Sequence, residues 1–279
     1  VNVMTYKTLM VHLKAGEQNA SILRVSGELA ERFDASVIGI AARQPLQLID
    51  DSGFSTIDIL DRDLRATNND IEAAEAEFRT ALSGRAKSLQ WRSAVTIAPL
   101  SEYLAHEARA ADLVLSGPDT IHSPLYRPRY ADIGSLLMQS GRPLLVVPEE
   151  IDRLKVRRVV VAWKDKRETR RAVADALPLL KLAGQVTVVE IANPSDLVAA
   201  TTRIADVAAW LGHHGIAADP MVEPAAGNDV GGLAAIADVY QADLIVAGAY
   251  GHSQIREALV GGVTKDLLLR SERCTLLSH

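Results

Sequence analysis

A chain of 279 residues has room for two domains of ordinary size, and its 48% hydrophobic and 23% charged residues exclude a disordered polypeptide. A net charge of −5 excludes broad electrostatic attraction to nucleic acid or to an anionic membrane. One cysteine, Cys274, leaves no intrachain disulfide and no cysteine-rich metal site; no apolar run reaches the length of a spanning helix, VNVMTYKTLMVHLK is no signal peptide, and a cytoplasmic protein is expected.

In chain order, KTLMVHL (7–13) and ASVIGIAA (35–42) predict two short buried strands separated by helical sequence. EAAEAEF (72–78) reads as a charged helix face. ADLVLSG (111–117) predicts another strand, and SGRPLLVVP (140–148) closes the series. After PEEIDRLKVR (148–157) the series begins again with RVVVAWK (158–164), followed by Ala172, Val173, Ala176, Leu177 and Leu180 on one helix face. QVTVVEIA (185–192), a helix over about 198–213, a strand near DPMVE and a helix carrying Val230, Leu233, Ile236 and Tyr240 come next. ADLIVAG (242–248), a helix from about Val263 and the strand CTLLS complete the second series.

The two series are copies of one unit. ADLVLSG and ADLIVAG share Ala-Asp-Leu and the closing glycine at an offset of 131, which also aligns SGRPLLVVP with SERCTLLSH. The earlier pairs align at an offset about twenty residues larger, so the first copy carries extra residues, placed at 43–63. Each copy predicts α/β architecture: two tandem five-stranded open parallel sheets, with right-handed crossovers and helices on both faces. In such Rossmann-like sheets ligands sit beyond the carboxyl ends of the strands, where the strand order reverses.

Four of the eighteen glycines lie in GAYGHSQIREALVGGVT (248–264), between a predicted strand and a predicted helix. The spacing is Gly248-x2-Gly251-x9-Gly261-Gly262-x-Thr264. Glycines there let backbone N–H groups face an anion, and the N–H groups opening the next helix can hold a second phosphate. The segment resembles the G-x2-G-x9-G-[S/T] nucleotide-binding motif of the universal stress protein family, and the repeat makes the whole chain similar to that family's tandem members. The resemblance implies an adenine-nucleotide α-hydrolase-like fold, with residues 1–150 as a degenerate domain and 151–279 as the domain carrying the glycine motif. It implies ATP, with Mg, as the cofactor of the second copy only. The residues implied for the nucleotide are Gly248, Gly251, His252, Gly261, Gly262, Val263, Thr264, Asp165, Ala162 and Ile191, with the adenine near Ile191 and Ala192. Two departures stand out. Gly262 takes the place of the usual hydroxyl residue, and AWKDKRE puts Lys164 where the family has an Asp, with Asp165 one step later.

The first copy lacks the motif. Gly117 aligns with Gly248, but Thr120, Tyr130 and Ala131 replace Gly251, Gly261 and Gly262, and PDTIHSPLYRPRY carries three prolines and bulky rings where open amides are needed. HLKAG has no acidic residue, so the first copy is expected not to bind nucleotide. Neighbouring His213 and His214 point apart on a helix and suit a solvated helix end better than a metal. Cys274 and the three tryptophans read as packing residues. No catalytic motif accompanies the glycines, so a non-enzymatic, stress-responsive nucleotide-binding protein is expected. The other reading is an interaction module of the same fold that binds no nucleotide. The two copies are expected to pair as an intramolecular pseudo-dimer, with a homodimer as a further state and no nucleic-acid or membrane partner.

Overall fold

The structure, a computed structural model, describes residues 5–46, 56–119, 129–225, 229–249, 267–268 and 272–279. Its contacts divide the chain into two compact units, one of Tyr6–Arg142 and one that holds Pro143–His279.

The first unit runs β1 (Thr8–His12), α1 (Ala20–Phe33), β2 (Ser36–Arg43), α2 (Thr56–Leu82), β3 (Leu89–Val95), α3 (Leu100–Glu107), β4 (Leu113–Ser116) and α4 (Ile133–Ser140). The strands lie in the order β3-β2-β1-β4, every pair parallel. Leu9, Met10 and Val11 are consecutive and all buried. Since successive strand side chains point to opposite faces, both faces of β1 are covered, as parallel strands between helices require. Gly39 of β2 leaves a recess for α2: a Cβ there would fall within 2.8 Å of both the Phe78 and Trp91 rings.

The second unit runs β5 (Leu144–Val146), β6 (Arg158–Trp163), α5 (Arg167–Leu180), β7 (Gln185–Ala192), α6 (Leu197–His213), β8 (Ala218–Pro224), α7 (Asp229–Val239), β9 (Leu244–Gly248) and β10 (Cys274–Ser278). The strand order is β5-β10-β9-β6-β7-β8. The predicted α5 stripe is buried at all five positions, from Ala172 to Leu180. Cys274 is buried, as a packing residue should be. The predicted helix from about Val263 lies mostly outside the described residues.

Two findings go beyond the sequence expectation. The strands β6 to β10 are parallel to their neighbours, but β5 runs antiparallel to β10, pairing Val146 with Thr275 and Leu144 with Leu277. The strand that closes the first copy in sequence therefore packs with the second unit. The extra residues of the first copy, in turn, do more than lengthen a loop, because α2 has 27 residues against 17 in its counterpart α6. Among the described residues no helix is long and apolar enough to cross a membrane.

Candidate functional site

In the second unit the sheet grows outward from β6 through β7 in one direction and through β9 in the other, so the strand order reverses between β6 and β9. Ligands of open parallel sheets bind at that crevice. Ala162, near the end of β6, pairs with Ala247 of β9 on one side and Val189 of β7 on the other. Ala162 and Ile191 are half-buried there, and Gly248 ends β9. Of the ten residues singled out in the sequence, these three stand on adjoining strands at one end of the sheet. Gly251, His252, Gly261, Gly262, Val263 and Thr264 lie outside the described residues.

Gly248 has a structural reason of its own. Its backbone lies inside a strand, and a Cβ there would come 2.5 Å from the Thr169 backbone nitrogen and 2.7 Å from the Glu168 carbonyl carbon. The glycine is what lets β9 pass the first turn of α5. Ala249 then bonds through its N–H to the Ser278 carbonyl, and His279 Nδ1 lies 3.2 Å from the Ala249 carbonyl oxygen. Glu168, buried at 6% exposure, accepts from Arg167 Nε at 2.6 Å. Burial by itself raises the Glu168 carboxyl; the Arg167 hydrogen bond and its own backbone N–H outweigh that and leave it below the usual range.

Asp165 lies in the exposed turn between β6 and α5, where the Lys166 N–H bonds to the Lys164 carbonyl at 2.6 Å. Its carboxylate is already engaged: Arg170 donates to Asp165 Oδ1 from Nη2 at 2.5 Å and from Nε at 3.2 Å. His213 is exposed, and His214 packs edge-on against Trp210 at 4.5 Å between ring centroids. No group of three His, Cys, Asp or Glu that could hold a metal occurs among the described residues.

The matching end of the first unit is filled by side chains. His12 and Ser116, at the ends of β1 and β4, share a buried hydrogen bond of 3.0 Å. Burial, with Lys14 nearby, pushes the His12 imidazole down to about 3, so it is neutral. Lys14 donates from Nζ to the Pro118 carbonyl at 2.8 Å. Tyr130, standing where the second copy has Gly261, accepts from Arg43 Nη2 at 3.2 Å, and its ring centroid lies 5.5 Å from the guanidinium carbon. Arg43 Nη1 pairs with Asp70 at 2.5 Å, and Arg129 Nη2 pairs with Asp63 at 2.7 Å and bonds to Thr67 at 3.3 Å. Asp119 accepts from the Ile133 N–H at 2.8 Å, and burial raises its carboxyl to about 6. What remains between His12, Lys14, Arg43, Asp119 and Tyr130 is a cavity of about 20 Å³, the room one water needs.

Sequence reasoning did not single out Arg43, Arg129, Asp63 or Asp70. The only signal of them was the surplus length of the first copy, since the pairing partners are far apart along the chain. A wider cleft beside α3 and α4 is lined by His106, Arg109, Ser140 and Arg142. Its guanidinium groups bond to the carbonyls of His106 and Arg109, at 2.6 and 2.8 Å, and so cap helix ends.

Solved structures share this fold over the full chain. A universal stress protein from Archaeoglobus fulgidus matches with a TM-score of 0.76 at 14% identity, covering 97% of this chain and 95% of that one. A functionally unknown protein from Pseudomonas aeruginosa matches with a TM-score of 0.64 at 14% identity, covering 98% and 92%. No protein-family model and no curated protein matches the chain. The likeness is one of fold: a mostly parallel α/β sheet with helices on both sides, as in universal stress proteins with their adenine-nucleotide α-hydrolase-like architecture.

Proposed function

We propose that the chain is a tandem universal stress protein, a cytoplasmic stress-response protein that binds ATP in its second repeat and is not an enzyme. One observation carries the reading: the spacing Gly248-x2-Gly251-x9-Gly261-Gly262-x-Thr264 leaves the end of β9 at the point where the strand order reverses. In this reading backbone N–H groups of the glycine segment hold the phosphates, Mg accompanies the nucleotide, and Ala162 and Ile191 border the nucleoside at the half-buried strand ends.

A second reading, an interaction module that binds no nucleotide, draws on two contacts. The Gly248 recess is taken up by the α5 backbone, and the Asp165 carboxylate is held by Arg170. Calorimetric titration of ATP separates the two. The first expects one equivalent of nucleotide per chain, lost in Gly251→Val, because a branched side chain blocks close approach to a phosphate. Absence of binding by the wild-type chain, together with no nucleotide released from the purified protein, establishes the second. Release of phosphate from bound ATP would overturn the non-enzymatic part alone.

A further inference from the structure

The first repeat carries an insertion, and that insertion supplies anions to the end of the sheet where ligands sit. Asp63, Thr67 and Asp70 are spaced so that they share one face of α2. From that face Asp63 and Thr67 reach Arg129, and Asp70 reaches Arg43 at the end of β2. We propose that α2 acts as a tethered anionic ligand of the first repeat, and that Arg43 and Arg129, once relieved of Asp70 and Asp63, bind a small phosphate-bearing anion.

Three observations converge on this. The place is right: the cavity adjoins the ends of β1, β2 and β4, and the strand order reverses between β1 and β4. The donors suit phosphate, since a planar guanidinium binds a carboxylate or a phosphate through the same fork. The carboxylate is an incomplete match, because Asp70 meets Arg43 through Nη1 while Arg43 Nε is buried without a hydrogen-bond partner among the described residues. A phosphate group offers more acceptor oxygens than a carboxylate and can meet donors that Asp70 leaves over.

Charge decides why the site is closed now. Lys14, Arg43 and Arg129 face the carboxylates of Glu17, Asp63, Asp70 and Asp119, so the cluster as built does not attract an anion. Removing the carboxylates of Asp63 and Asp70 brings the three cations level with Glu17, Asp119 and the nearby Asp132, and takes from Arg43 and Arg129 the carboxylates they now hold, so both guanidinium groups can turn to an incoming anion. Tethering explains why free anions compete only in large excess, since a group on the same chain acts at high effective concentration. The inference does not depend on nucleotide binding by the second repeat.

The test is calorimetric titration of inorganic pyrophosphate into the full chain. Relative to wild type, Asp63→Ala/Asp70→Ala, which removes both the charge and the bulk of the two carboxylates, should gain one additional equivalent, bound at least about tenfold more tightly than wild type binds pyrophosphate in this repeat. Adding Arg43→Gln to that variant should remove the gain. A variant with a wild-type melting profile and no additional equivalent overturns the proposal. Should the variant fail to fold, amide exchange of residues 56–82 in the wild-type chain decides. A large excess of pyrophosphate should speed exchange there by displacing the carboxylates, and unchanged exchange overturns the proposal.

Discussion

At Gly248, β9 passes so close to α5 that no side chain fits, whereas among the described residues a Cβ on its counterpart Gly117 would meet Lys14 alone, at 3.5 Å from Cε. Gly248→Ala should therefore cost about 1–3 kcal/mol through overpacking against backbone that cannot step aside. Gly117→Ala should stay within about 0.5 kcal/mol of wild type. Denaturant unfolding of both variants checks the contrast, and equal costs would remove the packing reason for Gly248. The sequence displayed this glycine, but its cause is a tertiary contact with residues about eighty positions earlier in the chain. Spacing cannot show such a cause, because a glycine required by a neighbouring helix and one required by a ligand look alike in a sequence.

Elements were easier to read than their directions. The α5 stripe and the β-branched runs of β6, β7 and β9 follow from side-chain periodicity, which burial imposes on each element separately. The direction of β5 has no such trace, since an apolar strand alternates identically whichever way its neighbour runs. Its antiparallel pairing with β10 carries a testable consequence. A cut near residue 152 leaves β5 on the first fragment and β10 on the second. The fragments should elute together from a sizing column, and Leu145→Pro, which places a residue without an N–H in that ladder, should separate them. Wild-type fragments that elute apart would show that this pairing does not hold the chain. The role of the α2 extension was illegible for a different reason. Its length showed, but Asp70 and Arg43, and Asp63 and Arg129, lie 27 and 66 positions apart in the chain and meet only in the folded unit.

At the scale of the whole molecule, proton binding ties the buried groups of the first unit to global stability. His12 has a folded value of about 3 against about 6.5 for free histidine, so below pH 6.5 the unfolded chain binds the extra proton and stability falls. The loss is on the order of 2 kcal/mol at pH 5. Asp119 acts in the opposite sense. Its carboxyl is raised to about 6, so the folded chain takes up that proton first and regains stability as the pH falls from about 6 toward the ordinary carboxylate range. Melting temperature should thus decline below pH 6.5, and Asp119→Asn, which removes the offset, should decline more steeply. Parallel profiles for the two proteins would show that Asp119 is not linked to folding.

The ion pairs that α2 makes with Arg43 and Arg129 also bear on dose and response. An occupant joined to its own receptor by the polypeptide has an effective concentration fixed by the chain; it is present once per molecule, in plenty and in starvation alike. The first repeat then answers a free anion only at an excess large enough to displace its own carboxylates. Under the proposed reading a ligand is bound by the second repeat alone, and its saturation curve is then expected to follow a single hyperbola, graded and without a threshold.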